Sequence, residues 1–222
     1  MVVPAAGSAK RMDGERKQFF RLAGEHVLLL ALNPILTHPA VHIVVVALPA
    51  DQADDPPQWL TNEDDRIQVV RGGDTRGDSV WAGLKMLPSN IDVVVIHDGA
   101  RPLASPDVVA RCIDVAAGGV GAVAGFRVVD SMKMADHSGG ITETLERSRL
   151  WHAQTPQAFP RTQIIDAYQS AVNDNWSATD DAAIVEKYGG DVVMVESSPI
   201  NLKITCKDDI KIAEAILNKI GS

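Results

Sequence analysis

Cations beside small-residue turns are the first chemistry visible in this chain. Pro4-Ala-Ala-Gly7 leads directly to Lys10 and Arg11, and Lys17-Gln18 follows a polar spacer. This order suits a polyphosphate: Ala5, Ala6 and Gly7 let the backbone approach, its N–H groups face the oxygens, and the cations neutralise them. A plain strand-to-helix turn with surface cations would read the same way. Neither the dinucleotide pattern Gly-x-Gly-x-x-Gly nor a Gly-Lys-Ser/Thr phosphate loop is present, and position 9 is Ala, which points to another nucleotide-binding class. Further along stand Gly72-Gly-Asp-Thr-Arg-Gly-Asp-Ser79, then His97-Asp98-Gly-Ala-Arg-Pro102, and later Lys203. Asp98 follows an apolar run and is a metal-ligand candidate; it could equally cap a turn or pair with Arg101. Gly72-Gly73 could be a simple turn, or could offer bare backbone groups to a pyrimidine edge.

The bulk properties narrow the setting. The 222 residues carry 45% hydrophobic and 23% charged side chains, enough for one large domain or a domain with an appendage. No apolar run reaches the ~18 residues of a membrane span, and no signal-peptide pattern opens the chain, so a cytoplasmic protein is expected. A net charge of −8 argues against nucleic acid as a partner. An anionic protein that binds an anionic ligand must concentrate its cations locally, and would benefit from a divalent metal carried with the ligand. Cys112 and Cys206 lack metal-type spacing and read as reduced thiols. The six His form no ligand cluster; His38 and His42 are separated by Pro39.

The elements that must position these residues alternate between strand and helix. Strands are expected at 2–5, 42–48, 67–71, 91–97, 121–126, 191–196 and 201–205. Helices are expected at 27–37 (bent or interrupted at Pro34), at about 75–87, from Ser105 as N-cap, at 160–172, from Thr179 as cap to 188, and at 207–220. Such βα units imply a mostly parallel sheet with helices on both faces and ligands at the carboxyl ends of its strands. Residues 127–152 break the pattern: apolar residues become sparse and His137-Ser-Gly-Gly140 reads as a hairpin turn. A length of ~25 residues favours a protruding β-arm over a structureless loop.

Taken in order, these pieces resemble the 2-C-methyl-D-erythritol 4-phosphate cytidylyltransferase family. The carriers are Pro4-Ala-Ala-Gly7 with Arg11-Met12, Lys17-Gln18, Gly72–Ser79, His97-Asp98 with Ala100-Arg-Pro102, Asp130-Ser-Met-Lys133, Arg147, Leu150-Trp-His-Ala-Gln-Thr-Pro-Gln157, Thr179-Asp180 and Asn201-Leu-Lys203. The resemblance covers nearly the whole chain. It implies an α/β fold: one domain over 1–222, a three-layer, mostly parallel Rossmann-like nucleotidyltransferase sheet, with 127–152 as a dimerisation arm. It implies cytidylyl transfer from CTP to methylerythritol 4-phosphate with release of pyrophosphate, aided by Mg²⁺, in a homodimer.

Residue roles carry over by position. Arg11, Lys17, Arg147 and Lys203 are the catalytic candidates, with Lys203 placing the attacking phosphate. Ala5, Ala6, Gly7, Gly73, Asp74, Ser79 and Asp98 would line the cytidine site, with Asp98 also on the metal. Ser131, Lys133, Thr155 and Thr179 would serve the alcohol substrate. Four positions depart from the family pattern: Ala9 for Gly, Arg16 for Pro, Gly99 for Ala, and Ser131 for Thr. Two rivals remain at this point, a ribitol 5-phosphate cytidylyltransferase and a non-catalytic nucleotide-binding protein of the same fold.

Overall fold

The computed structural model describes residues 1–7 and 16–220, without the side chains of Lys17 and Ile220, so Arg11 lies outside the described residues. In chain order the elements are β1 (Val2–Pro4), a 3-10 turn (Lys17–Phe19), β2 (Arg21–Leu22), β3 (Glu25–His26), α1 (Val27–Leu36), β4 (Val44–Leu48), α2 (Ala50–Asp54), α3 (Gln58–Thr61), β5 (Ile67–Arg71) and α4 (Arg76–Leu84). There follow β6 (Val93–Ile96), α5 (Pro106–Ala117), β7 (Gly121–Arg127), β8 (Lys133–Ala135), β9 (Ile141–Thr144), a 3-10 turn (Arg147–Arg149), β10 (Trp151–Pro160), α6 (Arg161–Asn173), α7 (Asp181–Tyr188), β11 (Val192–Glu196) and α8 (Lys207–Ile220).

Seven strands form one sheet in the order β11-β7-β10-β6-β1-β4-β5. All neighbours run parallel except β10, which is antiparallel to both β6 and β7. The period-2 alternation of strand side chains sorts the core into two layers. Val3, Val44, Val46 and Leu48 face α1 and α5 through Leu28, Leu32, Val109 and Cys112. Val2, Val45, Val94 and Ile96 face α4, α6 and α7 through Val80, Leu84, Ile164 and Val185. Every residue of β4 is buried, as its unbroken apolar run predicts, whereas the edge strand β5 is only half-buried. The chain leaves β1 toward β4 on one side and returns to β6 on the other. This reversal between adjacent strands opens a crevice at their carboxyl ends.

Several expected elements shift. Helix α1 runs through Pro34 and closes two residues later, where Thr37 N–H still reaches Asn33 O at 3.1 Å. The cap of α7 is Asp180, not Thr179: the Asp180 carboxylate accepts from Ala183 N–H at 3.0 Å, while Thr179 is exposed before it. Residues 201–205 form no strand; Ile204 N–H makes a lone bond to Ala100 O at 2.8 Å. Strand β10 was not expected, because Gln154-Thr-Pro156-Gln interrupts its apolar pattern, and the ladder with β7 indeed shifts register between Ala153 and Gln157.

Within residues 127–152 a hairpin forms, while Arg127, Trp151 and His152 belong to strands β7 and β10 of the main sheet. Strands β8 and β9 pair antiparallel, and every residue in them is exposed. The turn lies where expected: Asp136 accepts from the N–H groups of Ser138 and Gly140, each at 2.9 Å, and Gly139 takes φ +89°. Cys112 is buried and Cys206 exposed, both free. Among the described residues no helix is long and apolar enough to cross a membrane.

Candidate active site

A cleft of about 300 Å³ occupies the crevice at the ends of β1, β5 and β6. It is lined by Ala5, Ala6, Gly7, Gly73, Asp74, Ser79, Asp98 and Lys203, all expected from the sequence, together with Gln18, Thr75, Arg76 and the Gly99-Ala100 backbone. The glycine pair owes its identity to close approach. A Cβ on Gly72 would lie 2.3 Å from the Ala6 Cβ, and one on Gly73 would lie 2.3 Å from the Asp78 Cβ. The wall is stiffened by helix α4: Thr75 and Asp78 form a reciprocal capping box, and Ser79 Oγ accepts from Gly73 N–H at 3.1 Å while donating to Thr75 O at 3.0 Å.

The first strand and the Lys17 turn are joined by Gln18. Its buried side chain donates from Nε2 to Ala5 O at 2.6 Å, which sets the 16–19 segment against the cleft. Arg16, the departure from the expected Pro, makes a bidentate pair with Asp51 at 2.7 and 2.9 Å and fixes the turn from outside.

Asp98 is the electrostatic centre. Its Oδ1 accepts from Arg76 Nε at 2.8 Å, its Oδ2 from Lys203 Nζ at 2.6 Å, and Arg101 Nε stands 3.7 Å away. Burial pushes the Asp98 carboxyl up, but Arg76, Lys203 and Arg101 outweigh it and hold the group far below the usual carboxylate range. The pairing with Arg101 that the sequence allowed is therefore the longest of three.

Beneath Asp98 runs a buried chain of hydrogen bonds. Asp98 N–H donates to Thr155 Oγ1 at 3.0 Å, the Thr155 hydroxyl meets His97 Nδ1 at 3.1 Å, and His97 Nε2 meets Arg101 O at 3.2 Å. A carbonyl can only accept, so Nε2 carries the proton and Nδ1 accepts from Thr155. Burial drives the His97 pKa down to about 4, against the opposing hydrogen bond to Arg101 O, so the ring is neutral. Thr155, expected among the alcohol-substrate residues, thus lies under the floor of the cleft and orients the Asp98 backbone.

Among the described residues, the candidates Ser131, Lys133, Arg147 and Thr179 do not line the cleft. Ser131 and Lys133 are exposed on the arm, where Lys133 Nζ donates to Thr144 Oγ1 at 2.7 Å. Arg147 donates to Val129 O at 2.7 Å, also on the arm, and Thr179 is exposed ahead of α7. The lining residues with no role assigned from the sequence include Gln18 and Arg76. Both stood inside the quoted motifs, and Arg76 was detectable as a cation on the first turn of a helix that opens at the ligand edge.

Comparison with known proteins places this geometry. A model of the family described as 2-C-methyl-D-erythritol 4-phosphate cytidylyltransferase matches residues 1–219. The protein of that name from Syntrophus aciditrophicus is 40% identical over 227 residues, covering 98% of this chain and 95% of the relative. The one from Clostridioides difficile is 38% identical, covering 98% and 93%. Among solved structures, 4-diphosphocytidyl-2C-methyl-D-erythritol synthase from Anaerococcus prevotii superimposes with a TM-score of 0.87 at 28% identity, covering 98% of this chain and 94% of that one. The cytidylyltransferase from Thermus thermophilus gives a TM-score of 0.82 at 28% identity, covering 98% of both chains. With a family match over nearly its full length and relatives above a third identical throughout, the chain belongs to the 2-C-methyl-D-erythritol 4-phosphate cytidylyltransferase family.

Proposed function

We propose that the cleft at the ends of β1, β5 and β6 binds CTP, and that the chain transfers its cytidylyl group to 2-C-methyl-D-erythritol 4-phosphate, releasing pyrophosphate in isoprenoid biosynthesis. The observation that carries this reading is the convergence of Ala5–Gly7, Gly73, Ser79, Asp98 and Lys203 on one cleft in a member of this family. The narrow walls at Ala6 and Gly73 suit a pyrimidine stacked against backbone, whose fixed N–H and C=O groups separate cytosine from uracil. The substrate phosphate attacks the α-phosphorus in line, so the protein's work is to bring two anions together and to offset charge on the leaving pyrophosphate. Arg11 and Lys17 are assigned to the triphosphate, and Lys203 to the incoming phosphate.

A divalent cation fits the donor set: each Asp98 oxygen accepts one close hydrogen bond, from Arg76 or Lys203, and an ionised carboxylate keeps further lone pairs for a cation. Among the described residues no three His, Cys, Asp or Glu side chains gather as a cage, which disfavours a resident Zn²⁺. Carboxylate oxygen from Asp98 together with phosphate oxygens is the pattern that suits Mg²⁺. Bound there, the ion would supply charge neutralisation for the phosphates. Activity is expected to disappear in excess chelator and to return with Mg²⁺.

The arm completes the reading. Ser131, Lys133 and Arg147 have hydroxyl and cationic groups suited to an alcohol phosphate, yet they sit among the exposed apolar side chains Val129, Met134 and Ile141. A second copy that pairs with this arm would cover those side chains and receive the polar groups into its own site. The proposed enzyme is thus a homodimer acting in the cytoplasm. Pyrophosphate release from CTP, measured with methylerythritol 4-phosphate beside ribitol 5-phosphate, tests the assignment. Release with the first and little with the second is expected; the opposite preference would overturn it.

A further inference from the structure

Asp181 is a buried carboxylate outside the cleft, and nothing in the transfer reaction calls for it. It is fully buried at the first position of α7. The helix start is locked in place, since Ala182 N–H donates to Gln157 Oε1 at 3.0 Å and Gln157 Nε2 donates to Asp180 at 2.9 Å. Gln157 in turn pairs with Ile96, two residues before Asp98. The orientation of Asp181 is therefore tied to the strand that ends at the site.

Two donors converge on Asp181. Tyr168 OH donates to its Oδ1 at 2.5 Å, and Arg76 Nη2 donates to its Oδ2 at 2.7 Å. Arg76 is the link to the cleft, because its Nε donates to Asp98 Oδ1 at 2.8 Å. The guanidinium fork is thus split between two carboxylates. A guanidinium beside a single carboxylate ordinarily makes two parallel bonds to both of its oxygens. Arg76 bound in that way would cover Asp98 Oδ2, the oxygen that now accepts from Lys203 Nζ at 2.6 Å.

We infer that Asp181 is a positioning residue: by holding one arm of the Arg76 fork, it reserves Asp98 Oδ2 for Lys203 and so fixes where the Lys203 ammonium stands in the cleft. The functional consequence rests on the assignment of Lys203 to the alcohol phosphate; the geometric consequence does not. Without an acceptor at position 181, Arg76 turns onto Asp98 alone and Lys203 is displaced toward solvent. Asp181→Leu removes both acceptor oxygens at similar size, and Asp181→Asn keeps one acceptor and serves as the conservative variant.

The test has two readouts. In steady-state kinetics on the full chain, Asp181→Leu is expected to raise KM for methylerythritol 4-phosphate about tenfold and to leave KM for CTP within about twofold, with Asp181→Asn in between. In a Lys203→Met background the same substitution should change KM by less than about twofold, because the group it positions is gone. An equal rise in both backgrounds would overturn the inference. The second readout needs no activity: reductive methylation of Lys203, followed by peptide mass spectrometry, should be faster in Asp181→Leu than in the parent. If Leu at this position prevents folding, Asp181→Asn carries the same comparison. Unchanged methylation of Lys203 in a folded variant sinks the inference. Faster methylation with an unchanged KM would keep the geometry and remove Lys203 from the alcohol-phosphate site.

Discussion

The cleft and the arm both present cations, and they hold them in opposite ways. In the cleft the described cations are balanced inside the chain. Arg76 and Lys203 contact Asp98, the lining comes from three strand ends, and a chain of hydrogen bonds runs beneath through Thr155 and His97. On the arm, Lys133 and Arg147 bond to a neighbouring hydroxyl and a carbonyl; Lys133 stands on a hairpin strand exposed on both faces and Arg147 on the 3-10 turn that follows the hairpin. A two-stranded hairpin of this kind is marginal on its own, so its geometry depends on what it pairs with. The difference teaches that the cleft is specified by one chain's own core, whereas on the proposed reading the arm's share of the site depends on a partner surface.

The hardest blow to the comparison falls on the cleft side. Lys17→Ala and Arg11→Ala are each expected to lower turnover by about a hundredfold or more, since a charge aimed at a transferring phosphoryl group is typically worth ~3 kcal/mol or more. Neither should move the midpoint of thermal unfolding, because both are charged residues in a polar stretch of the sequence. Near-normal turnover in either variant would remove that residue from the triphosphate site.

The arm is tested by mixing inactive chains. Lys17→Ala and Arg147→Ala subunits are combined and allowed to exchange. If the arm serves the neighbouring site, each mixed dimer holds one doubly damaged and one intact site. Random exchange makes about half of the dimers mixed, so about a quarter of all sites recover. If the arm serves its own chain, every site keeps a lesion and activity stays at the parental level. A proven exchange without recovery ends the shared-site reading.

Stability should separate the same two regions. Leu32→Ala, fully buried between α1 and the sheet, is expected to cost about 2–5 kcal/mol in urea unfolding. Ile141→Ser on the arm, 67% exposed, should cost under about 0.5 kcal/mol to the single subunit. Its effect should appear instead as weaker self-association at low protein concentration. A large loss of subunit stability from Ile141→Ser would show that the arm is held by its own chain.

How much of this was legible in the residues follows the same divide. The parallel strands announce themselves as apolar runs such as Val44-Val-Val-Ala-Leu48, and Ser105-Pro106 announces a helix start, because burial and capping are local in sequence. The cleft lining was legible because small residues and Asp98 fall at strand ends, where the fold class places ligands. Strand β10 was hidden, since Gln154-Thr-Pro156-Gln157 breaks its apolar pattern, with side chains that bond partners such as Asn201, His97 and Asp180. Thr155 looked like a substrate contact because a motif shows which residues matter, and only coordinates show that its hydroxyl faces His97 and Asp98. Arg76 was passed over for the same reason: its split between Asp98 and Asp181 joins residues 105 positions apart.

The subtlest prediction concerns the foundation of the cleft and acid. Burial lowers the His97 pKa from 6.5 to about 4, so the folded protein resists a proton that the unfolded chain accepts. Between these values the unfolded state binds more protons, and stability must rise with pH across that window. The contribution is fully present above about pH 6.5. It is lost as the pH falls toward 4, by up to about 3 kcal/mol. His97→Gln, which offers an amide in place of the ring and cannot take up a proton, should start less stable at neutral pH and flatten that part of the profile. Urea midpoints measured from pH 7 to pH 4 decide it. A parent and variant with parallel pH dependence would mean that His97 is not the group that titrates. The arm would not mimic the effect, because Asp136 at its turn is shifted in the other sense: the Ser138 hydroxyl and the N–H of Gly140 lower its carboxyl pKa, so any loss it causes comes at lower pH.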